Sequence, residues 1–128
     1  MKGKAYAVLA SMIEARENCV RRDNSTWIGT WNERIEAFAR ENLPSGSGID
    51  AGSKVDLTSS TADRLVIEAP YHAMNGDGFY VGWRDYRVIV TPSLAHGINV
   101  RVQGRDYNGV KDYLADVYRE AFMREIGT

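Results

Sequence analysis

The sequence contains a single cysteine, Cys19, among 128 residues, so it forms no intramolecular disulfide. A chain without disulfides is held together by its apolar core, and a reducing compartment suits it. Long apolar runs are also missing, since Glu14 and Arg16 interrupt the first apolar segment before it reaches the length of a signal peptide or a membrane span. We therefore predict a cytoplasmic protein with no membrane association.

An excess of charge of one sign is absent as well. Sixteen basic and 17 acidic side chains give a formal net charge of −1. A general binder of polyanions usually carries a strong positive excess, and an acidic mimic of DNA carries the reverse, so the balance disfavours both classes and leaves only local patches open. With 44% apolar and 26% charged residues, the composition predicts one globular domain over residues 1–128.

The N-terminal third places its apolar residues at helical spacing. This spacing predicts one helix over roughly residues 4–21. A second helix is predicted from the cap-forming run at 23–26 to the residues before Pro44, because the residue that precedes a proline is pushed out of the helical region. Trp27 and Trp31 fall on the apolar side of this second helix, and we place them in the core.

From residue 54 onward the apolar period changes to two, which is typical of strands with one buried face. Four segments alternate in this way: 54–57, 65–72, 86–91 and 98–103. Asn75-Gly76-Asp77-Gly78 predicts a tight hairpin turn, and a last amphipathic helix is predicted over about 108–125. The order α-α-β-β-β-β-α predicts an α+β two-layer sandwich in which the helices cover one face of an antiparallel sheet.

The alternation also predicts which side chains point away from the helices, on what we call the outer face of the sheet. This face is expected to carry nine residues: Val66, Glu68, His72, Arg87, Ile89, Thr91, Asn99, Arg101 and Gln103. A mixture of apolar, amide and arginine side chains suits the recognition of another molecule. A solvated face and a self-association surface in a homodimer are the alternatives.

Positive charge is the second feature predicted for the outer face. Four arginines are expected to gather there: Arg84, Arg87, Arg101 and Arg105. Trp83 lies where the alternation is unclear and is a candidate exposed anchor. Together with His72 and Asn99, these residues form the predicted binding set.

No motif for catalysis or metal binding stands out. The two histidines, His72 and His96, lack the H-x-x-x-H spacing of a metal site. The loop Ser45-Gly46-Ser47-Gly48 lacks the lysine and the spacing of a P-loop, and Cys19 lies beside the apolar stripe of a helix, where packing is its expected role. We therefore predict no catalytic residues, no metal and no cofactor, and we favour a binding function over an enzymatic one.

Five short motifs lie between residues 43 and 106. They are Leu43-Pro44-Ser45-Gly46-Ser47-Gly48-Ile49-Asp50 with Gly52, Tyr71-His72-Ala73-Met74, Gly78-Phe79-Tyr80 with Trp83, Pro92-Ser93-Leu94, and Gly104-Arg105-Asp106. Between about Leu43 and Phe122, the sequence resembles a family of small proteins encoded by phages, prophages and plasmids. The resemblance implies the accessory gene of a mobile element. It carries no activity, so it assigns no catalytic residues.

Three functional hypotheses follow. The first is a non-enzymatic interaction protein of a mobile element, in its sharpest form a counter-defence inhibitor of the anti-CRISPR type that binds a host protein complex. Its partner would be a host or phage protein, bound through the outer face, the 43–53 loop or Trp83. The second is a nucleic-acid-binding module that uses the outer face. The third is a small hydrolase or metal enzyme built on His72, His96 and nearby acids.

Overall fold

The computed structural model describes residues 3–46, 48–49, 52–74 and 80–127. Its elements, in chain order, are β1 (Gly3–Lys4), α1 (Ala5–Arg21), α2 (Ser25–Asn42), β2 (Lys54–Val55), β3 (Leu65–Met74), β4 (Tyr80–Ser93), β5 (Gly97–Gln103), α3 (Val110–Met123) and β6 (Glu125–Ile126). The α+β class and the helix–helix–sheet–helix order predicted from the sequence are confirmed. Among the described residues, no helix has both the length and the apolar character needed to cross a membrane.

The main sheet has the order β2-β3-β4-β5, and every neighbouring pair is antiparallel. One row across it joins Val55, Ile67, Val88 and Val102, all of which point toward the helices. Helix α3 packs on β5 and helix α2 on β2, while α1 packs on α2 and also contacts α3. This inner face and the three helices enclose the core, whose largest fully buried members include Leu9, Ile35, Tyr86, Tyr118 and Phe122.

The ends of α2 follow the local signals in the sequence. The Asn24 side-chain oxygen accepts a hydrogen bond from the Trp27 backbone N–H at 3.3 Å, which satisfies one of the unpaired donors of the first turn. The helix ends at Asn42, and Leu43 is extended ahead of Pro44. The predicted boundaries of this helix are therefore confirmed.

Two short strands at the chain ends were not predicted. Gly3 and Lys4 of β1 pair antiparallel with Ile126 and Glu125 of β6, and the Ala5 backbone N–H donates to the Arg124 carbonyl at 2.9 Å. Strands of two residues carry no periodic signal, so the pairing follows only from where α1 begins and α3 ends.

The first predicted strand is shorter than its alternating pattern suggests. Strand β2 ends at Val55 because the Asp56 carboxylate accepts hydrogen bonds from the backbone N–H groups of Thr58 and Ser59, at 3.1 and 3.2 Å, and turns the chain. The edge of β3 is then completed by a side chain. The Ser60 hydroxyl accepts from the Val66 N–H at 2.9 Å and donates to the Val66 carbonyl at 3.3 Å.

The segment that follows α2 is a connector, and one buried serine ties it to α3. The Ser53 hydroxyl lies 2.7 Å from the Pro44 carbonyl and 2.6 Å from the Tyr118 hydroxyl. Because a carbonyl only accepts, the Ser53 hydroxyl donates its hydrogen bond to the Pro44 carbonyl and accepts one from the Tyr118 hydroxyl. Burial raises the pKa of Tyr118 to about 12, so this phenol stays protonated as the donor.

Two predictions fall on parts of the chain that lie outside the described residues. The tight turn predicted at 75–78 is one of them. The side chain of Trp83, predicted to be an exposed anchor, is the other, although its backbone belongs to β4.

Candidate binding surfaces

The strand register places the nine predicted outer-face residues on one side of the sheet. Val66 lies opposite Ile89, which lies opposite Arg101, and the next row joins Glu68, Arg87 and Gln103. Thr91 faces Asn99, while His72 lies nearer the far end of β3. The period-two pattern therefore predicted the shared face of these residues correctly.

The same face does not expose its apolar residues, contrary to the prediction. Val66 is fully buried and Ile89 is 5% exposed, although the helices cover the opposite side. The segment 56–64 folds back beside Val66 through Ser60, which the alternation could not show. Asp56 also reaches this face, where its carboxylate lies 3.7 Å from the Arg87 guanidinium. The accessible outer face is therefore polar and partly neutralised.

The four predicted arginines do not gather on the outer face. Arg84 lies opposite Tyr71 in the register, on the side of the helices, because it is an odd number of residues away from Arg87. Arg105 lies beyond the end of β5. Only Arg87 and Arg101 share the outer face, so the prediction of a four-arginine patch there is wrong.

The guanidinium groups of Arg84 and Arg105 instead both lie beside the ring of Tyr107, a residue of the loop between β5 and α3. The Arg84 Nε donates to the Tyr107 hydroxyl at 3.4 Å, and its guanidinium carbon lies 5.8 Å from the centre of that ring. The guanidinium carbon of Arg105 lies 5.1 Å from the same ring centre. Both distances are within the range of cation–π attraction.

Further tyrosines extend this cluster toward α3. The Tyr86 hydroxyl donates to the Arg105 carbonyl, and its ring contacts Tyr71 edge-on with 6.3 Å between ring centres. Tyr71 in turn contacts Tyr113 with 6.2 Å between ring centres, and Tyr113 is 42% exposed. We call this set the tyrosine–arginine surface: Tyr71, Arg84, Tyr86, Arg105, Tyr107 and Tyr113.

Two glycines make room for the rings. A Cβ at Gly48, where φ is +98°, would lie 2.6 Å from the Tyr71 ring, and a Cβ at Gly104, where φ is +146°, would lie 2.5 Å from the Tyr86 ring. The Gly48 carbonyl also accepts the backbone N–H of His72 at 2.9 Å. Three of the sequence motifs, at 43–52, 71–74 and 104–106, thus meet at this surface.

The pKa values of the tyrosines of this surface shift in opposite directions. The hydrogen bond from Arg84 lowers the pKa of Tyr107, and the positive charge of Arg105 acts in the same direction. Burial raises the pKa of Tyr86, with a further contribution from Tyr107, and burial also raises the pKa of Tyr71. The positive charges of Arg84 and Arg105 therefore act most strongly on Tyr107.

Sequence reasoning missed this surface because it placed all four arginines on the outer face and assigned no role to the tyrosines. A signal was present, since Gly104-Arg105-Asp106 runs directly into Tyr107 and Tyr71 opens another of the motifs. The contact between them depends on the pairing of β3 with β4 and on the path of the 104–109 loop. Neither follows from a pattern along one segment.

The far end of the α1–α2 hairpin forms a second accessible surface. No residue is buried between positions 14 and 34, a segment that we call the distal hairpin. Val20 and Trp27 are each 49% exposed, so the prediction that Trp27 lies in the core is wrong. Trp31 is half-buried, and the Arg34 guanidinium carbon lies 4.9 Å from the centre of its ring. The apolar side of the two helices is therefore only partly covered in this segment.

Two grooves flank the 43–53 loop. One, of about 750 Å³, runs between the loop and α3, and the Arg124 guanidinium donates across its edge to the Asn42 carbonyl at 2.8 Å. The other, of about 570 Å³, lies between α2 and β2 above Ile35 and Ala39. Both have the size of ligand pockets, but the side chains that line them do not by themselves define a chemistry.

The two histidines lie far apart in the structure. His72 lies on β3 toward the 75–79 end of the sheet, whereas His96 lies in the turn between β4 and β5 at the opposite end. In the part of the chain that the structure describes, no three histidine, cysteine, aspartate or glutamate side chains are placed to hold a metal ion.

No family model, curated protein or solved structure matches this chain. A function must therefore be inferred from the structure of this chain itself.

Proposed function

We propose that this chain is a non-enzymatic interaction protein that binds another protein through the distal hairpin. The carrying observation is that residues 14–34 are folded without a single buried residue, while Val20 and Trp27 stay about half exposed. Large apolar side chains on a projecting element are typical of binding sites, and tryptophan is enriched among the residues that dominate binding energy.

The energetics of the hairpin support this proposal. Ordering the backbone of one residue costs about 1–2 kcal/mol, and burial in the core offsets that cost for most of the chain. The distal hairpin gains much less, because its interactions are exposed ones such as the ring contact of Arg34, together with the part-buried hydrogen bond from Arg16 to Asn32. An extension that adds little to stability is more readily explained by a partner that covers it.

The resemblance to mobile-element proteins supplies the setting of this proposal. A host or phage protein is the proposed partner. The most specific version of the proposal is that the chain inhibits a host defence complex. Such an inhibitor needs a binding surface and no catalytic group of its own. The distal hairpin provides a projecting surface of that kind.

Capture experiments with matched variants test the hairpin. Nuclease-treated host lysate is passed over the wild-type protein, the double variant Val20→Ala/Trp27→Ala, and the control Leu94→Ala, which removes a fully exposed apolar side chain from the β4–β5 turn. Affinity for the captured protein, measured after its purification, should fall roughly 30-fold or more in the double variant, in line with a loss of about 2 kcal/mol at a dominant residue. The control should bind normally. Equal binding by the double variant would refute the proposal.

The outer face of the sheet is tested in the same experiment. Arg87→Glu/Arg101→Glu reverses the two charges that do share this face. If the hairpin is the interface, this variant captures the partner as the wild type does. Loss of capture by a folded Arg87→Glu/Arg101→Glu protein would move the interface to the sheet.

A further inference from the structure

Strand β2 is the last strand on one side of the main sheet, and its outer edge pairs with no other strand among the described residues. The backbone N–H of Asp56, just after β2, donates to the Val66 carbonyl at 2.9 Å. Hydrogen-bonded and non-hydrogen-bonded pairs alternate along an antiparallel ladder, so the next pair, Val55 with Ile67, exchanges no hydrogen bonds. The N–H and C=O groups of Val55 therefore point away from β3, toward the open edge.

Elsewhere along this side of the sheet, the backbone groups have partners. The Val66 N–H donates to the Ser60 hydroxyl at 2.9 Å. Farther along β3, the His72 N–H donates to the Gly48 carbonyl, also at 2.9 Å. Natural proteins cover most of a sheet edge in this way, because an uncovered edge pairs with other chains. Val55 forms no backbone hydrogen bond at this edge with any described residue, so its donor and acceptor are available to another chain.

An apolar groove lies directly beside this position, between α2 and β2, and we call it the α2–β2 groove. Val55 and Leu57, both half-buried, line one wall, and Ile35 and Ala39 of α2 form the buried floor. Its volume of about 570 Å³ is within the range of ligand-binding pockets. The groove therefore has room for an apolar side chain next to the free backbone groups of β2.

Strand geometry connects the free backbone groups with the groove. Directly opposed residues of antiparallel strands project their side chains to the same face of the sheet. The side chain of Val55 points toward the helices, as does that of Ile67 beside it. A residue that pairs with Val55 from outside the chain would therefore direct its own side chain toward the helices, against Ile35 and Ala39. One residue of a bound strand would thus use both the backbone groups and the apolar floor.

The charges around the groove specify the neighbouring residue of such a strand. In an antiparallel arrangement, the residue that follows the one opposite Val55 faces Lys54, which is exposed. Lys54 forms no ion pair with Glu68, the residue opposite it on β3, or with any other described group. At the rim of the groove, Glu36 and Arg40 pair with each other at 3.1 Å. Because opposite charges on directly opposed residues are stabilising, an acidic residue is complementary to Lys54.

We propose that the α2–β2 groove binds an extended peptide segment of a partner protein, which adds to β2 as an antiparallel strand. An apolar residue of the peptide exchanges two backbone hydrogen bonds with Val55 and places its side chain in the groove. The next residue of the peptide is acidic and pairs with Lys54. This site is separate from Val20 and Trp27 and does not depend on the function proposed for the distal hairpin.

The binding assay measures fluorescence anisotropy of labelled peptides with the full chain. The parent probe is a capped heptapeptide with leucine at its centre, glutamate directly after the leucine, and serine or threonine at the other positions. We expect a dissociation constant below about 1 mM. No binding at that concentration would overturn the proposal, and so would equal binding of a peptide with the same composition in which leucine and glutamate are separated.

Changes in the peptide distinguish strand pairing from simple apolar contact and leave the protein itself unaltered. N-methylation of the leucine removes the N–H that donates to the Val55 carbonyl, and should weaken binding roughly 2- to 10-fold, as expected for one hydrogen bond. Replacement of the leucine by alanine should weaken binding about 10-fold or more, because the groove then buries less apolar surface. Unchanged binding of the N-methylated peptide would show a pocket without strand pairing and would refute the proposal.

A charge exchange locates the peptide beside β2. Lys54→Glu should weaken binding of the parent peptide roughly 3-fold or more, and should bind a peptide with lysine in place of the glutamate more tightly than the wild type does. Arg101→Glu is the matched control, since it makes the same change of charge on β5, at the other edge of the sheet. It should bind the parent peptide normally, and similar effects of the two substitutions would contradict the assignment.

The distal hairpin variant separates the two proposals. Val20→Ala/Trp27→Ala should bind the parent peptide as the wild type does, because neither side chain lines the α2–β2 groove. Unfolding curves of each variant show whether the fold is retained. Loss of peptide binding in a folded Val20→Ala/Trp27→Ala protein would place the peptide on the hairpin and would overturn the assignment to the groove.

Discussion

The two halves of the α1–α2 hairpin have similar patterns of apolar residues, but these residues are buried in one half and exposed in the other. In the proximal half, Leu9 and Ile13 of α1 and Ile35 and Ala39 of α2 are buried against the sheet and α3. In the distal half, Val20 and Trp27 occupy comparable apolar positions and stay about half exposed. The comparison teaches that amphipathic spacing predicts which side of a helix is apolar, while burial depends on what lies beneath it.

The tyrosine–arginine surface belongs to the packed region in the same sense. Its rings pack against the sheet, and Gly48 and Gly104 lie close to the rings of Tyr71 and Tyr86. The distal hairpin has no comparable support, since a Cβ added at Gly29 would have no neighbouring atom within 4 Å. Substitutions should therefore be costly in one region and nearly neutral in the other.

The sharpest test of this difference compares two aliphatic residues on α1. Ile13→Ala leaves a cavity in the core and should lower the free energy of unfolding by about 2–5 kcal/mol. Val20→Ala removes a half-exposed side chain and should change it by no more than about 0.5 kcal/mol. Urea denaturation measures both. Similar losses in the two variants would show that the distal hairpin is part of the cooperative core.

Glycine substitutions should separate the regions next. Gly104→Ala combines a strained φ of +146° with a contact of 2.5 Å to the Tyr86 ring, and should lower the free energy of unfolding by about 2–4 kcal/mol. Gly29→Ala lies in an open helical position and should raise it by about 0.5–1 kcal/mol. Thermal unfolding should show that Gly104→Ala is less stable than the wild type and that Gly29→Ala is more stable. Equal tolerance would contradict the close fit at Tyr86.

The buried Tyr118 hydroxyl predicts a pH effect confined to the packed region. Tyr118→Phe removes the proton donor of Ser53 and should cost about 0.5–1.5 kcal/mol near neutral pH. Since the folded-state pKa is about 12 and the ordinary value is 10.0, the unfolded state ionises first as the pH rises. The stability of the wild type relative to Tyr118→Phe is thus complete below about pH 10 and falls between about pH 10 and 12. A constant difference in urea denaturation across that range would exclude the buried donor.

The smallest effects are expected in the distal hairpin. Arg34→Ala removes the contact with Trp31, worth about 0.5–1 kcal/mol at an exposed site, and should speed hydrogen exchange of the amides at 14–34 without lowering global stability. Arg40→Ala is the matched control in the proximal half, because it breaks an exposed pair with Glu36 at 3.1 Å and should leave those distal amides unaffected. Faster exchange across the sheet in Arg34→Ala would show that the halves unfold together.

Much of the fold was predictable because its signals are local. The cap at Asn24 and the stop before Pro44 gave the bounds of α2, and the period-two segments gave β3 and β5 to within two residues. Strand β4 was underpredicted, because it begins at Tyr80, six residues before the alternating segment 86–91. The candidate surfaces were less predictable. The shared outer face of Arg87 and Arg101 follows from alternation alone, whereas the meeting of Arg84, Arg105 and Tyr107 requires a strand and a separate loop to approach each other.

The sequence by itself determined the class of fold, the order of its elements and the sides of each helix and strand, since these depend on residues a few positions apart. Tertiary structure alone decided that Trp27 is exposed, that Val66 is buried away from the helices, and that Arg84 and Arg105 both lie beside Tyr107. These outcomes depend on contacts between distant segments. An apolar side chain on the same side of a helix is buried or exposed according to whether another segment of the chain covers it.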